Sequence, residues 1–295
     1  MTQPTANLTL SLARSGGVAL GLSLSTGPSM VPGVGSSAGT STAAGGGAAR
    51  WAAAGLAGGT STAAGGGRAT GPAVVAAAIL ARTPIAYWKL DETSGVVAAD
   101  SSGNGRNGAY SGVTLGSTFA PFTAPTFGGG GTVDVYSASL NGAFGKDVGT
   151  ALAFFRPVAG IGEAPAGLTI GTTTGPRLVQ LGYGNDGFDA NQHSGSRRVA
   201  SNQRALSSPA TSPFAAWGMV ALAWTTASGG ALILYSNGVA SGPATGLSAW
   251  GATALASSLC FIGGGDEAAQ IAHVALFPTV LSAADIAAIY AASGL

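Results

Sequence analysis

Eleven aspartates and glutamates, two histidines and one cysteine are the stock of acid, base and nucleophile chemistry in this 295-residue chain. Glycoside hydrolysis needs two carboxylates flanking a sugar, about 5 Å apart for a nucleophile or roughly 6.5 to 9.5 Å apart when a water stands between. Asp91 and Glu92 are adjacent at the end of an expected strand, so they point to opposite faces and do not form such a pair. His193 and His273 lie near no nucleophile-elbow sequence, which leaves a serine triad without support. Cys260, in SSLCFIGGG, reads as a buried strand residue, and one cysteine makes neither an intrachain disulfide nor a zinc cluster. The expectation is a chain that is not an enzyme.

Binding chemistry is better supplied. Hard cations take clustered carboxylate, amide and hydroxyl oxygens from loops, and Asp100, Ser102 and Asn104, with Asp91 nearby, could hold calcium. The competing reading is that these residues form Asx turns that pin a loop, with Gly103 and Gly105 at positive φ. No cofactor is otherwise expected. A glycan site needs exposed aromatic rings for stacking beside amides or acids. GYGNDGFDANQHSGSRR, residues 182–198, offers Tyr183, Asn185, Asp186, Phe188 and Asn191 in what reads as a loop-rich hairpin.

These candidates must be positioned by strands. Residues 1–30 alternate apolar and polar: Leu8, Leu10 and Leu12 fall on one face of a first strand, and Val18, Leu20, Leu22 and Leu24 on one face of a second. Ser15-Gly16-Gly17 stands between them, the period-two pattern of a hairpin. Such a hairpin is marginal alone, so its leucine face calls for a partner and is read as an assembly surface. Residues 31–82 are almost wholly Gly, Ala, Ser and Thr, with GTSTAAGGG at Gly39 and again at Gly59, and are read as a stalk or assembly segment.

From Thr83 onward the texture changes to short apolar runs separated by Gly, Asn, Ser and Pro, as in a β-sandwich. Strands are predicted at 85–89, 108–110, 151–156, 178–182, 219–225, 231–236, 258–263 and 271–278, with hairpin turns at Asn237-Gly238 and Ser228-Gly229-Gly230. Ser282 and Asp285, three apart ahead of Ile286, Ile289 and Tyr290, predict a capped terminal helix.

Composition narrows the partners. Only 8% of residues are charged and the net charge is +1, so no broad basic surface exists for nucleic acid or anionic lipid. No window reaches the roughly 18 to 20 apolar residues of a membrane helix. The N-terminus has no basic region ahead of an apolar core, so it is read as structure and not as a signal peptide.

Three segments resemble the LamG-like, concanavalin-type jelly-roll family. They are AYWKLDETSGVVAADSSGNGRNGAYSGVTLG (Ala86 to Gly116), WGMVALAWTTASGGALILYSNGVASG (Trp217 to Gly242) and IAHVALFPTVLSAADIAAIYAA (Ile271 to Ala292). The resemblance implies an all-β, concanavalin-like jelly-roll sandwich over residues 83–295. It leaves the ligand open, because this fold serves lectins, adhesins, glycosidase accessory modules and viral structural proteins. Members often carry acids in the closing strand where this chain has Ala272 and His273, so a role resting on those acids is not carried over.

A small-residue N-terminal tract before a jelly roll is similar to the arrangement in phage head fibres, decoration proteins and tail appendages. That resemblance implies a virion structural protein that binds a capsid or tail protein and contacts host-surface glycan through the jelly roll; the small-residue tract, which lets backbones pack closely around a three-fold axis, is read as joining copies of the chain into a homotrimer. The alternative is a carbohydrate-binding, adhesive module of a bacterial cell surface or extracellular protein.

Overall fold

The computed structural model describes residues 8–14, 18–24, 69–158, 166–172, 177–183, 192–211, 215–251, 253–265 and 268–295. The chain divides into two compact units, Met1–Ala69 and Thr70–Leu295.

In the first unit, β1 (Leu8–Arg14) and β2 (Val18–Leu24) pair antiparallel, with Leu8 opposite Leu24, Leu10 opposite Leu22 and Leu12 opposite Leu20. This is the hairpin expected from the alternation. The 31–68 part of the low-complexity segment lies outside the described residues.

The second unit begins thirteen residues earlier than the expected jelly-roll boundary at Thr83, because a helix precedes the first strand. Helix α1 (Pro72–Leu80) has Pro72 at its start, where a missing N–H costs nothing, followed by alanines that favour the helix. Val75 and Ile79, one turn apart, are its fully buried residues. Residues 70–82 therefore belong with the sandwich and not with the stalk.

The strands follow in chain order. They are β3 (Ala86–Trp88), β4 (Val97–Ala98), β5 (Gly108–Ser111), β6 (Thr114–Phe119), β7 (Phe122–Phe127) and β8 (Thr132–Asp134). Helix α2 (Ala138–Ala143) leads to β9 (Val148–Pro157), β10 (Ala166–Thr172), β11 (Arg177–Tyr183), β12 (Gln192–Val199) and β13 (Asn202–Thr211). Then come β14 (Gly218–Thr225), β15 (Ala231–Ser236), β16 (Val239–Thr245), β17 (Cys260–Gly263), β18 (Ala269–Phe277) and α3 (Ala283–Ser293).

They form two antiparallel sheets. One has eight strands in the order β13-β12-β11-β10-β17-β8-β5-β4; the other has seven in the order β16-β15-β14-β9-β18-β7-β6 and an eighth, β3, paired to β18 off that path. Between the sheets lies a core that includes Trp88, Phe127, Phe155, Trp224, Trp250 and Cys260. The fold is the all-β sandwich expected from the sequence. No helix among the described residues is long and apolar enough to cross a membrane.

The sheet built around β9 and β18 has a second apolar layer on its outer side. Tyr87, Phe122, Leu152, Phe154, Met219 and Phe277 pack there with Val75 and Ile79 of α1 and Ile286 and Ile289 of α3. Ser282 caps α3 by accepting the Asp285 amide at 3.1 Å, and Gly294 closes it at φ 77°. The Gly71 amide donates to the Ala292 carbonyl at 2.8 Å, so the start of α1 is tied to the end of α3. His273 enters this layer through a bulge in β18, where its φ is 51°.

Candidate ligand-binding face

With helices and aromatics sealing one sheet, the outer face of the sheet built around β10 and β17 is the other broad surface of the sandwich. Strand alternation decides what it displays. Val133 and Val135, Leu168 and Ile170, Val179 and Leu181, and Cys260 and Ile262 all point into the core. The residues between them therefore point out.

Pairing registers join those outward positions into one row. Ser196 lies opposite Gln180, Gln180 opposite Thr169, Thr169 opposite Phe261, Phe261 opposite Asp134, and Asp134 opposite Ala109. At about 4.8 Å between strands, Gln180 to Asp134 covers roughly 14 Å, the footprint of a short oligosaccharide. An aromatic ring thus stands between a carboxylate on one side and a hydroxyl and an amide on the other.

Each member is held in place locally. Phe261 is half-buried, and its ring lies against Gly264: a Cβ there would come within 2.8 Å of Phe261 Cε2, and φ is +87°. Glycine at 264 is what leaves room for the ring. Asp134 is exposed; its Oδ1 accepts the Tyr136 amide at 2.9 Å, and Oδ2 has no donor among the described residues. Tyr136, two residues on, is 37% exposed. Thr169 is buried, and its Oγ1 has no hydrogen-bond partner among the described residues.

The residues singled out from sequence fall in several places. Tyr183 ends β11 opposite His193 at the start of β12, whereas Asn185, Asp186, Phe188 and Asn191 lie in residues 184–191, outside the described residues. Asp100, Ser102 and Asn104 do come together. Asp100 Oδ1 accepts the Tyr87 and Ser102 amides at 3.0 and 2.9 Å, and Oδ2 accepts the Arg106 amide at 2.8 Å. Asn104 Nδ2 donates to the Ile85 carbonyl at 3.0 Å. Burial works to raise the Asp100 pKa, but the Ser102 side chain and the Arg106, Tyr87 and Ser102 amides outweigh it and hold the carboxyl below its usual range. The cluster staples its loop to the segment entering β3. Asp91, its possible fourth member, is exposed and pairs with Lys89 at 3.0 Å.

The histidines are structural in their surroundings. His193 Nδ1 and Ser236 Oγ are 2.7 Å apart, the spacing of a base and a nucleophile. Yet the ring is 1% exposed and burial pushes its pKa down to about 4, which makes it a weak base out of contact with solvent. His273 is pushed down to about 4 by burial as well; it bonds the Tyr87 hydroxyl through Nδ1 at 2.5 Å and packs edge-on to Phe122. Cys260 is buried, as expected, and desolvation pushes its thiol up to about 11.

Sequence reading missed the outer row. Its signal was present in two short stretches, Thr132-Val133-Asp134-Val135-Tyr136 and Cys260-Phe261-Ile262, where alternation alone sends Asp134 and Phe261 to one face. What sequence could not supply was the register that sets the two side by side.

No family model matches the chain, and no curated protein sequence matches it. Solved structures do share its fold. It is similar to the botulinum neurotoxin serotype D ligand-binding domain in complex with N-acetylneuraminic acid, at 15% identity and TM-score 0.53, covering 74% of this chain and 52% of that one. The binding domain of botulinum neurotoxin DC in complex with rat synaptotagmin II aligns at 13% identity and TM-score 0.53, over 73% and 52% of the two chains. Trypanosoma rangeli sialidase in complex with sialic acid aligns at 14% and 0.50, over 71% and 33%. The chain spans about half the length of the toxin binding domains and a third of the sialidase. At these identities the likeness is one of fold.

Proposed function

We propose that this chain is a non-enzymatic glycan-binding module whose N-terminal segment anchors it in a virion, as a head fibre, decoration protein or tail appendage. The observation that carries the glycan reading is the outer row of the sheet built around β10 and β17, where Phe261 stands between Asp134 and Thr169 in register. Sugars offer one apolar ring face and a rim of hydroxyls, so an aromatic ring beside unsatisfied acceptors complements them. The toxin binding domain that shares the fold was solved with a sugar bound, which supports the same class of ligand here. Binding of the full-length protein to a glycan array, abolished by Phe261→Ala, tests this. An array that stays silent, or binding indifferent to Phe261→Ala, counts against it.

The virion anchor rests on the paired leucine positions of β1 and β2 and on the low-complexity tract that follows. In this reading the first unit joins copies of the chain into a homotrimer and seats them on a capsid or tail protein. Light scattering compares the full chain with a variant lacking residues 1–69; the shorter chain is expected to be monomeric, and an unchanged oligomer sinks the anchor. Labelled antibody on purified particles locates the protein. Label on bacterial cell walls instead favours the adhesive-module reading, with the same glycan-binding face.

A further inference from the structure

We infer that the outer face of the sheet built around β10 and β17 selects uncharged saccharides over acidic ones, with Asp134 as the residue that discriminates; this rests on the glycan-binding reading of that face. Three observations lead there. The first is the free acceptor. Asp134 Oδ1 is taken by the Tyr136 amide at 2.9 Å, whereas the exposed Oδ2 has no donor among the described residues. An ionised carboxylate only accepts hydrogen bonds, so its complement is a donor such as a sugar hydroxyl, not another carboxylate.

The second is charge. Asp134 takes part in no ion pair among the described residues. The cation that shares the outer face, Arg198, lies on β12, three strands from β17, and its Nε donates to the Ala200 carbonyl at 3.2 Å. Three strand spacings put it about 14 Å from Phe261, beyond the Debye length of about 8 to 10 Å in ordinary buffer. An acidic sugar stacked on Phe261 would set its negative charge beside Asp134; Arg106, three residues and about 10 Å along the chain from the Ala109 that faces Asp134, donates instead to Ser139 Oγ at 3.1 Å and to the Ile85 carbonyl.

The third is Thr169. It is 3% exposed, sits opposite both Gln180 and Phe261, and leaves Oγ1 without a partner among the described residues. Buried hydroxyls are ordinarily satisfied; at 3% exposure this one is reached by a ligand hydroxyl only where the groups covering it move aside. A hydroxyl can donate or accept, so it places no charge requirement on the ligand. Carboxylate, hydroxyl and aromatic ring together describe a neutral, hydroxyl-rich ring.

The test uses the full chain on an array of neutral glycans and the same glycans capped with sialic acid, read at low and moderate salt. The neutral member of a bound pair is expected to bind about tenfold more tightly, the discrimination narrowing as salt screens it. Asp134→Asn should bring the two within about twofold. Thr169→Val, isosteric and without the unpaired hydroxyl, should weaken neutral binding several-fold while leaving the melting temperature level or higher. Equal or tighter binding of the sialylated member by the unmodified protein overturns the inference and leaves the glycan reading standing. So does a preference that Asp134→Asn leaves unchanged. Binding to no member of either set overturns both.

Discussion

The two sheets of this sandwich present outer faces of opposite character. On the sheet built around β9 and β18, large aromatics point outward and two helices cover them: Tyr87, Phe122 and Phe154 are at most 1% exposed under α1 and α3. On the sheet built around β10 and β17 the outward positions mix polar residues with Leu178 and the exposed Val97, and Phe261 is a half-buried ring among them. One face contributes stability by burial; the other leaves Asp134 Oδ2 and Thr169 Oγ1 without a protein partner among the described residues, for a ligand or solvent to complete. Substitutions on the sealed face should therefore move stability and spare binding, and those on the open face should do the reverse.

The largest expected effect comes from uncovering the sealed face. Deleting residues 1–69 removes no part of the second unit, whereas deleting 1–82 removes α1 and bares its seat. The longer deletion should lose about 5 kcal/mol relative to the shorter one in urea unfolding, from Val75, Ile79 and their half-buried neighbours. Equal midpoints for the two deletions would show that α1 is not a working part of the sandwich. Phe154→Ala comes next, at about 4 kcal/mol, with glycan binding of the folded fraction unchanged.

Acid sharpens the contrast. Both histidines are neutral in the folded state, with pKa values pushed from 6.5 to about 4 by burial. Unfolded histidines bind protons below pH 6.5 while the folded ones do not. Their stabilising contribution is therefore complete above pH 6.5, lost as pH falls toward 4, and constant below that. The loss is on the order of 3 kcal/mol per histidine and should appear as a falling melting temperature. His193→Gln should remove one histidine's part of that slope. Ser282→Ala removes the α3 cap and should cost about 1 kcal/mol. Smallest in stability is Phe261→Ala, expected within about 1 kcal/mol of the parent although it abolishes glycan binding. A large loss of stability there would make Phe261 a core residue and end the contrast between the faces.

Most of the buried framework could be read from apolar alternation. Ala231–Ser236 matches its strand residue for residue, Met219–Thr225 and Ala151–Arg156 fall short of the observed Gly218–Thr225 and Val148–Pro157, and Asn237-Gly238 makes the expected turn, with φ of 51° and 82°. Strands rich in Thr, Ser, Gly and Pro escaped notice. β6, β13 and β16 lie at sheet edges, where one side needs no partner strand and little apolar pattern is required. Helix α1 was hidden because its alanines continue the Gly/Ala texture before it, and only tertiary contact with α3 and β18 distinguishes them. At the candidate site, strand alternation reveals that Phe261 and Asp134 point outward. Their adjacency comes from pairing between residues 127 positions apart in the chain, which local pattern does not encode.

The bond from the Gly71 amide to the Ala292 carbonyl has a mechanical consequence. A Cβ at Gly294 would come within 2.7 Å of Thr70 Oγ1, so residues 70 and 294 are neighbours in space. Tension applied through the two ends of the sandwich would pull apart the start of α1 and the end of α3 before it loaded any strand ladder. For the same reason the unit can be spliced into a surface loop of another protein without stretching its host.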